Sequence, residues 1–335
     1  MVSIDGSLCP AIFPGTVLPG TQTQFYAASG EVQEMRILVT GATGLIGRSL
    51  CQSLTNAGHV VAAVSRSAGK PVGLAAAEIH HWDPQTGPIS HAALSGVDAV
   101  VNLAGEPLDA RRWSDQQKTR IRDSRIVTTR NLVAGLRSVD SQPAVLVSGS
   151  AVGFYGDRGD EELDEQSPAG RGFMSEVCEE WEREAGRPAE FGMRVVQVRT
   201  GVVLSADGGA LQKMLRPFKL GLGGPLGSGK QWFPWVHIKD IVGIFRHAIM
   251  SAALTGPVNG VAPQPVTNGE FTRELGRALH RPAFLPVPEM ALRVLMGEMA
   301  EVLFGSQRVV PTAALRSGYE FDYPLLSNAL TDLLG

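Results

Sequence analysis

The sequence RILVTGATGLIG, residues 36–47, decides the fold of this chain. A β-branched apolar segment runs straight into a GxxGxxG turn, and apolar residues at helical spacing then continue until Gly58. A second β-branched segment follows at residues 60–65. This order predicts a strand, a glycine turn, a helix and a strand, the context in which a dinucleotide pyrophosphate sits on a helix N-terminus. The alternative is a tight turn without a ligand.

Strands and helices alternate along the rest of the chain. Further strands are predicted at Glu78–Trp82, Asp98–Leu103, Ala144–Ser148 and Arg194–Val198. Helices are predicted at Asp115–Leu136 and Phe173–Gly186. The alternation predicts an α/β fold with a doubly wound parallel sheet of the Rossmann type. We expect a nucleotide-binding domain over residues 35–204 and a smaller C-terminal substrate lobe over residues 205–335. A segment around residues 233–250 is expected to return to the first domain.

Composition and charge disfavour several classes of protein. Apolar residues make up 44% of the 335 residues and charged residues 19%, as in a globular chain. The formal net charge of −3 disfavours binding to nucleic acids or anionic membranes, and no run of 18 apolar residues suggests a transmembrane helix. Three scattered cysteines without a CxxC pair indicate a reducing, cytoplasmic location. No metal is expected, because His80-His81 has no partner cluster.

The first 34 residues differ from the remainder. They contain no Lys or Arg, only three acidic residues, and prolines at Pro10, Pro14 and Pro19. A secretory signal needs a positive start and an unbroken apolar core, and a transit peptide needs arginines, so neither fits. Two interpretations stay open: a disordered tail over residues 1–34, or translation that starts at Met35.

The end of the second strand bears on the choice of cofactor. An NAD site usually places Asp or Glu about 20 residues after the glycines, where it binds the ribose 2′-hydroxyl. This chain has Ser65-Arg66-Ser67 there, and Arg48 directly after the turn. A guanidinium suits a 2′-phosphate, which predicts NADP(H) in preference to NAD(H). The alternative is that Arg66 is a solvated loop charge.

Three motifs together resemble a known superfamily. GATGLIG at residues 41–47, Asn102–Gly105 (NLAG) and Ser148–Gly156 (SGSAVGFYG) are similar to the extended short-chain dehydrogenases/reductases. Further motifs are similar to the YfcH-like "epimerase family protein" group within it, so that the resemblance covers residues 35–335. These motifs are Arg111–Trp113, Asp123–Arg125, Arg199–Leu204, Gly208–Ala210, Gly221–Gly229, Phe233–Ile238 with Asp240, Asn259–Pro263 and Gln307–Pro311.

The resemblance implies roles for individual residues. The three glycines of the turn would hold the pyrophosphate, and Ser150, a candidate catalytic residue, would hydrogen-bond the substrate oxygen beside the nicotinamide. With the two residues that end the second strand, the expected cofactor-binding set is Gly41, Thr43, Gly44, Leu45, Ile46, Gly47, Ser65, Arg66, Asn102, Leu103, Ala104, Gly105 and Ser148.

The superfamily's acid–base pair, Tyr-x-x-x-Lys, has no counterpart in this chain. Its places fall at Met174 and Cys178, or one residue earlier at Phe173 and Val177, and neither register supplies the pair. Tyr155 is the second candidate catalytic residue, because it follows closely after the serine strand. The alternative is that Tyr155 is a packed aromatic at the edge of the sheet.

Cationic and aromatic residues of the C-terminal part suit an anionic or sugar-like substrate. The candidate substrate-binding residues are Arg199, Lys230, Trp235 and His237. The alternatives are that Trp235 lies in the core and that His237 caps the following helix.

Two hypotheses on function follow from these observations. The first is an NADP(H)-binding epimerase or oxidoreductase with rearranged acid–base residues, acting on an anionic small molecule such as a nucleotide sugar. The second is a sensor or regulator that binds NADP(H) without turnover. A homodimer is left open in both.

Overall fold

The computed structural model of the chain describes residues 33–66, 69 and 72–335, without the side chain of Leu295. The tail or alternative start expected over residues 1–34 lies, except for its last two residues, outside the described residues and stays a prediction.

Most strand residues are apolar and buried, as a sheet covered by helices on both faces requires. The strands are β1 (Arg36–Thr40), β2 (Val60–Ser65), β3 (Glu78–His81), β4 (Ala99–Asn102), β5 (Val145–Ala151), β6 (Glu162–Leu163), β7 (Arg194–Thr200), β8 (Val202–Leu204), β9 (Trp232–Phe233), β10 (Trp235–His237), β11 (Gly256–Gly260), β12 (Val266–Thr267) and β13 (Arg308–Val309).

The helices range from one turn to more than six turns. They are α1 (Leu45–Asn56), α2 (His91–Leu94), α3 (Asp115–Ser138), α4 (Phe173–Gly186), α5 (Gly209–Lys219), α6 (Ile238–Met250), α7 (Asn268–Ala278), α8 (Glu289–Met296), α9 (Ala300–Phe304), α10 (Thr312–Arg316) and α11 (Leu326–Leu334). Within the described part of the chain, none of them is both long and apolar enough to span a membrane.

Seven strands form one parallel sheet in the order β3-β2-β1-β4-β5-β7-β11. The chain adds strands outward from β1 to β3, then crosses to β4 and adds strands on the other side. The order therefore reverses between β1 and β4, and the loops that leave these two strands diverge. Open α/β sheets bind ligands in the crevice that this divergence creates. The doubly wound parallel sheet predicted from the sequence is confirmed.

Two central strands are longer than predicted. The predictions ended them at Ser148 and Val198, whereas β5 continues to Ala151 and β7 continues to Thr200. The added residues pair with one another, with Ala151 opposite Thr200. The extension therefore comes from pairing between segments distant in sequence, which local composition does not reveal.

The edge strand β11 was not predicted. Its sequence, GPVNG at residues 256–260, is typical of a turn, since Gly and Pro are poor strand formers. It pairs only with β7 within the seven-stranded sheet, and Pro257 is tolerated at such an edge because an edge strand leaves some N–H groups unpaired.

A buried polar side chain links three strands at the centre of the sheet. Asn102, at the end of β4, is fully buried, and its Oδ1 accepts a hydrogen bond from Thr40 Oγ1 (2.7 Å). Its Nδ2 donates to Thr129 Oγ1 (2.9 Å) and to Ser148 Oγ (3.3 Å). Because buried polar groups cost free energy unless they are paired, these bonds fix the ends of β1, β4 and β5 relative to one another.

Helices pack in pairs against the sheet. α1 packs on α6, and α3 packs on α4. Leu38, Val100 and Leu146, from three adjacent strands, share one apolar cluster with Leu132 and Leu136 of α3. This packing holds α3 beside the strands whose ends form the crevice.

The C-terminal part of the chain joins the main sheet and also builds a core of its own. β10 pairs in parallel with β8, α6 follows it, and β11 then enters the sheet. Trp235, Phe271 and Leu330 belong to a second apolar cluster formed mainly by C-terminal residues. The return to the sheet therefore reaches residue 260, further than the predicted 233–250. The predicted domain boundaries themselves stay a prediction.

Candidate functional site

The glycine turn stands between β1 and α1 at the reversal of strand order. Gly41 adopts a φ of +66°, and a Cβ there would lie 2.5 Å from the carbonyl carbon of Leu103 and 2.8 Å from the nitrogen of Ala104. Only a glycine lets the turn approach the exit of β4 this closely. The contact brings the ends of β1 and β4 together at one edge of the sheet.

The other two glycines of the turn differ in why they are needed. A Cβ at Gly47 would lie 2.2 Å from the carbonyl oxygen of Gly41, so the packing of α1 onto the turn requires a glycine. At Gly44, by contrast, the only protein atom within 4 Å of a Cβ is the Gly41 oxygen, at 3.3 Å. The protein's own packing therefore constrains Gly44 less than Gly47, since a shift of a few tenths of an ångström would relieve this contact.

Gly44 also caps α1 without a side chain. In the part of the chain that the structure describes, α1 has no side-chain cap at its N-terminus, and Thr43 and Gly44 are exposed. Unpaired N–H groups at a helix N-terminus attract anions. An exposed, side-chain-free N-terminus fits the pyrophosphate of a dinucleotide.

The two arginines expected near a 2′-phosphate are placed differently. Arg48 donates from Nε to the Thr43 oxygen (3.0 Å) and from Nη1 to the Val72 oxygen (3.2 Å), so it ties the turn to the segment after β2. Arg66 is exposed directly after β2, and Ser65, which ends that strand, is partly buried. Ser67 lies outside the described residues.

The residues at the ends of β4 and β5 divide into exposed and buried groups. Leu103 and Ala104 are partly exposed, and Gly105 is exposed. Asn102 and Ser148 are fully buried and bond to each other. Their side chains therefore position the ends of the strands, and contact of these residues with a cofactor stays a prediction.

A buried ion pair lies next to the candidate catalytic serine. Arg199 forms a bidentate pair with Glu182, with Nε to Oε1 and Nη2 to Oε2 both at 2.8 Å. Ser150 Oγ donates to the same Glu182 Oε1 at 2.6 Å and is 4% exposed. The proton of Ser150 is thus held by a carboxylate, and Arg199 is held by its partner rather than turned toward a ligand.

Tyr155 closes the other end of this cluster. Its hydroxyl accepts from Arg199 Nη1 (3.0 Å) and can donate to Asn259 Oδ1 (2.7 Å) or to the Asp164 oxygen (3.0 Å). The side chain is fully buried, and this burial raises the pKa of Tyr155 to about 12. The structure therefore places Tyr155 among packed and hydrogen-bonded residues, which corrects its assignment as an accessible acid–base.

Met174 and Cys178, the α4 residues at the positions of the Tyr and Lys in Tyr-x-x-x-Lys, pack against the turn that follows β5. A Cβ at Gly153 would lie 3.2 Å from Met174 Cβ and 3.8 Å from Cys178 Sγ, so both side chains pack on the turn after β5. Cys178 is fully buried, and its burial raises the pKa of the thiol to about 12. A thiol of this kind is not a nucleophile at neutral pH.

The four candidate substrate-binding residues are not brought together. Trp235 is buried in the C-terminal apolar cluster, and His237 is fully buried as the cap of α6. Lys230 is exposed and lines an open cavity of about 480 Å³ together with Arg273 and Phe284. Trp235 and His237 therefore serve the core, and a substrate site formed by all four residues stays a prediction.

The buried ring of His237 contacts three residues of the C-terminal part of the chain. Its Nδ1 accepts from the N–H of Lys239 (3.1 Å), its ring stacks on Tyr323 with centroids 3.9 Å apart, and its Nε2 lies 3.3 Å from Asp332 Oδ2. Burial lowers the pKa of His237 to about 4, although Asp332 opposes this shift. The neutral ring is therefore the folded form.

Sequence reasoning missed three polar residues of the buried cluster. Glu182 lies one helical turn after Cys178 on the same face of α4, and an acidic residue on an inward face was the available signal. Glu165 accepts from the N–H of Asn259 through Oε1 (2.9 Å). No local signal marks Glu165, and although Asn259 begins the Asn259–Pro263 motif, its contacts with Tyr155 and Glu165 join segments far apart in sequence.

Comparison with known proteins places these features in a wider group. The sequence matches the profile of the NAD dependent epimerase/dehydratase family over residues 37–259, and residues 287–333 match a domain of unknown function. The chloroplastic "epimerase family protein SDR39U1 homolog" of Arabidopsis thaliana is 40% identical, over 95% of this chain and 92% of its own length. "Epimerase family protein Mb2239" of Mycobacterium bovis is 44% identical, over 88% of this chain and 96% of its own length.

A solved structure matches along the same length. The crystal structure of the human epimerase family protein SDR39U1 (isoform 2) with NADPH has a TM-score of 0.82 and 39% identity, and the match covers 90% of this chain and 99% of that chain. The match extends across both the glycine turn and the C-terminal part. The cytoplasmic location of this chain stays a prediction, since one relative is named as chloroplastic.

Because His237 caps α6 from a buried position, we expect the stability of the protein to depend on pH. The unfolded chain protonates His237 near its ordinary pKa of about 6.5, and the folded chain does so only near 4, so stability falls as pH falls between these values. From pH 7 to pH 5 the wild-type protein should lose about 2 kcal/mol more unfolding free energy than His237→Asn, which keeps a capping side chain. Urea unfolding at both pH values measures this, and parallel losses in the two proteins would contradict it.

Proposed function

Because this chain belongs to the NAD dependent epimerase/dehydratase family, as the resemblance of its motifs predicted, we propose that it binds NADP(H) in preference to NAD(H) and acts on a small anionic substrate such as a nucleotide sugar. Binding of a nicotinamide cofactor is the general property of the family. The preference, the substrate class and the rearranged acid–base chemistry belong to the proposal.

The observation that carries the proposal is the exposed Gly44, where a Cβ would meet only one atom of the described residues, the Gly41 oxygen at 3.3 Å. Gly41 and Gly47 are required by internal contacts, but Gly44 stands exposed at the uncapped N-terminus of α1. A glycine that the protein's own packing constrains less is explained by a ligand backbone or phosphate that must approach closely. When bound, the nicotinamide would supply hydride transfer.

The preference for NADP(H) is supported by charge at the end of β2. No acidic residue stands at residues 65 or 66, and Arg66 is exposed with its guanidinium available to a 2′-phosphate. Arg48 is already engaged with two carbonyl oxygens, so in this proposal it orders the turn while Arg66 provides the contact. The solved relative with NADPH agrees with this preference.

Catalysis on this fold would need a proton-transferring group other than Tyr-x-x-x-Lys. Ser150 is the second-last residue of β5, and in this proposal its oxygen keeps a lone pair that accepts from a substrate while Glu182 holds its proton. Glu182 in turn is held by Arg199, so the serine and the carboxylate act as one unit. In this proposal the unit orients a substrate hydroxyl.

A second candidate function is a sensor that binds NADP(H) without turnover. The observation that favours it is the chemistry of α4, where Met174 and the fully buried Cys178 offer no group for proton transfer. Tyr155 does not replace them, because it is buried with a raised pKa. Cofactor binding would then change the protein's stability or contacts without chemistry.

Gly44 is exposed and Gly47 is buried, so we expect their replacement by alanine to affect ligand binding and stability differently. Gly44→Ala should fold with a melting temperature near that of the wild type but bind NADPH at least tenfold more weakly, because the new methyl group occupies the approach of the pyrophosphate. Gly47→Ala should lower the melting temperature by several degrees, since its Cβ meets the Gly41 oxygen. Thermal melting without ligand and fluorescence titration with NADPH measure both; a Gly44→Ala protein with unchanged affinity would count against the site.

Cofactor preference tests the role of Arg66. The wild-type protein should bind NADPH more tightly than NADH, and Arg66→Asp should reverse the order, because a charge-assisted contact to phosphate is worth about 1.5–3 kcal/mol. Arg246→Asp is the control, since this exposed arginine lies on α6 and donates to Ser53 of α1. Titrations of the three proteins with both cofactors give the answer. Equal affinities of the wild type for the two cofactors would refute the preference.

Turnover separates the enzyme from the sensor. A panel of nucleotides and nucleotide sugars, read by thermal shift in the presence of NADP(H), should identify a stabilising substrate. With that substrate, Ser150→Ala should lower the rate at least tenfold and leave the NADPH affinity nearly unchanged, while the buried control Cys178→Ala should retain the rate. If no compound is converted, yet NADPH binds tightly, the sensor is the function that remains.

A further inference from the structure

Arg125 of α3 lies beside the crevice and forms no ion pair with a carboxylate among the described residues. Nη1 donates to the Ile121 oxygen (3.0 Å) and approaches Ser124 Oγ (3.4 Å), and Nη2 donates to the Glu106 oxygen (3.1 Å). Its Nε is buried and has no hydrogen-bond partner among the described residues. Among the described residues no carboxylate forms a close ion pair with Arg125, and the nearby Glu106 acts on the guanidinium only through its charge.

Two neighbouring arginines of α3 form ion pairs with glutamates of α4. Arg122 donates to both carboxylate oxygens of Glu180, and Arg130 lies 3.0 Å from Glu184 Oε1. Arg194 also lacks a carboxylate, but it donates to three carbonyl oxygens at the end of α6. Arg125 thus differs from all three in combining the lack of a direct ion pair with an unpaired Nε.

The surroundings of Arg125 are those of a ligand site. Its guanidinium lies 5.4 Å from the ring of Trp181, and burial lowers the pKa of Arg125. A Cβ at Gly105 would lie 3.2 Å from Arg125 Cζ, and Gly105 is exposed, so only a glycine separates the cation from the crevice. Gly105 directly follows the Leu103–Ala104 segment that packs on the glycine turn.

The α4 residue that interacts electrostatically with Arg125 is the buried Cys178, which offers no carboxylate to it. A partly buried cation in a region of low dielectric gains more from an anion than a solvated one does, and it costs free energy while it lacks one. Among the neighbours described, the two carbonyls fix the direction of the guanidinium, and no carboxylate binds it directly.

We propose that Arg125 is an anion-binding residue of the crevice, which binds a phosphate or carboxylate of the ligand seated between the glycine turn and α4. The inference rests on the proposed function, because it takes the crevice to be the cofactor and substrate site. The anion has two sources, the pyrophosphate of NADP(H) and an anionic nucleotide-sugar substrate, and they share the oxyanion chemistry that a guanidinium recognises.

Three variants test this role in the full chain. Arg125→Met removes the charge and keeps a long apolar stem, Arg125→Lys keeps the charge, and Arg122→Met removes a paired, exposed arginine one turn earlier on α3. Each protein is titrated with NADPH and, separately, with UDP-glucuronic acid as an anionic nucleotide sugar. The melting temperature without ligand is measured for all of them.

We expect Arg125→Met to bind one of the two probes at least tenfold more weakly, with Arg125→Lys within about threefold of the wild type and Arg122→Met unchanged. Weaker binding of NADPH assigns the anion to the cofactor, and weaker binding of UDP-glucuronic acid alone assigns it to the substrate. A merely structural clamp on the two carbonyls predicts instead that Lys fails as Met does and that both lower the melting temperature.

Unchanged binding of both probes by Arg125→Met, or equal losses of affinity and melting temperature in Arg125→Met and Arg125→Lys, would overturn the inference. The proposed function fails separately, if the wild-type protein binds no nicotinamide nucleotide at all. In that case the UDP-glucuronic acid titration decides the role of Arg125 by itself.

Discussion

The close approach of two backbone segments, at Gly41 and at Leu103–Ala104, is the constraint on which the rest of the structure depends. A side chain at position 41 would stand 2.5 Å from the Leu103 carbonyl, so the turn after β1 and the exit of β4 meet only because residue 41 is a glycine with a φ of +66°. This meeting point is where the strand order reverses. The N-terminus of α1 and the exposed Gly105 take their common position from it.

Polar groups around the crevice fall into two classes with different consequences. Asn102 and the Glu182–Arg199 pair find partners for their polar atoms, so they brace strands and helices and have little left to offer a ligand. The N-terminus of α1 has no side-chain cap among the described residues, and Arg125 keeps a buried Nε without a hydrogen-bond partner there. A cation without a direct ion pair and a helix end without a side-chain cap both lower their free energy when a ligand arrives, and both lie at the same edge of the sheet.

The C-terminal part of the chain decides which candidate residues are accessible. Asn259, in the edge strand β11, bonds the hydroxyl of Tyr155 and donates to the Val310 oxygen, so two late segments close over a tyrosine that follows β5. Val261 and Val309 pack on the same cluster. The buried tyrosine and the buried cysteine of α4 thereby become parts of one core rather than members of an open catalytic site.

The sequence by itself determined the α/β fold, the first two strands, the glycine turn and the candidate positions 174 and 178, because each depends on spacing within about 30 residues. Only the tertiary structure decided that Ser148, Tyr155, Trp235 and His237 are buried, and that Arg125 makes no direct ion pair with any described residue. Burial and charge pairing depend on which distant segments meet. Tyr155 and Asn259 are joined across 104 residues, and Glu182 and Arg199 across 17, so no local pattern records either contact.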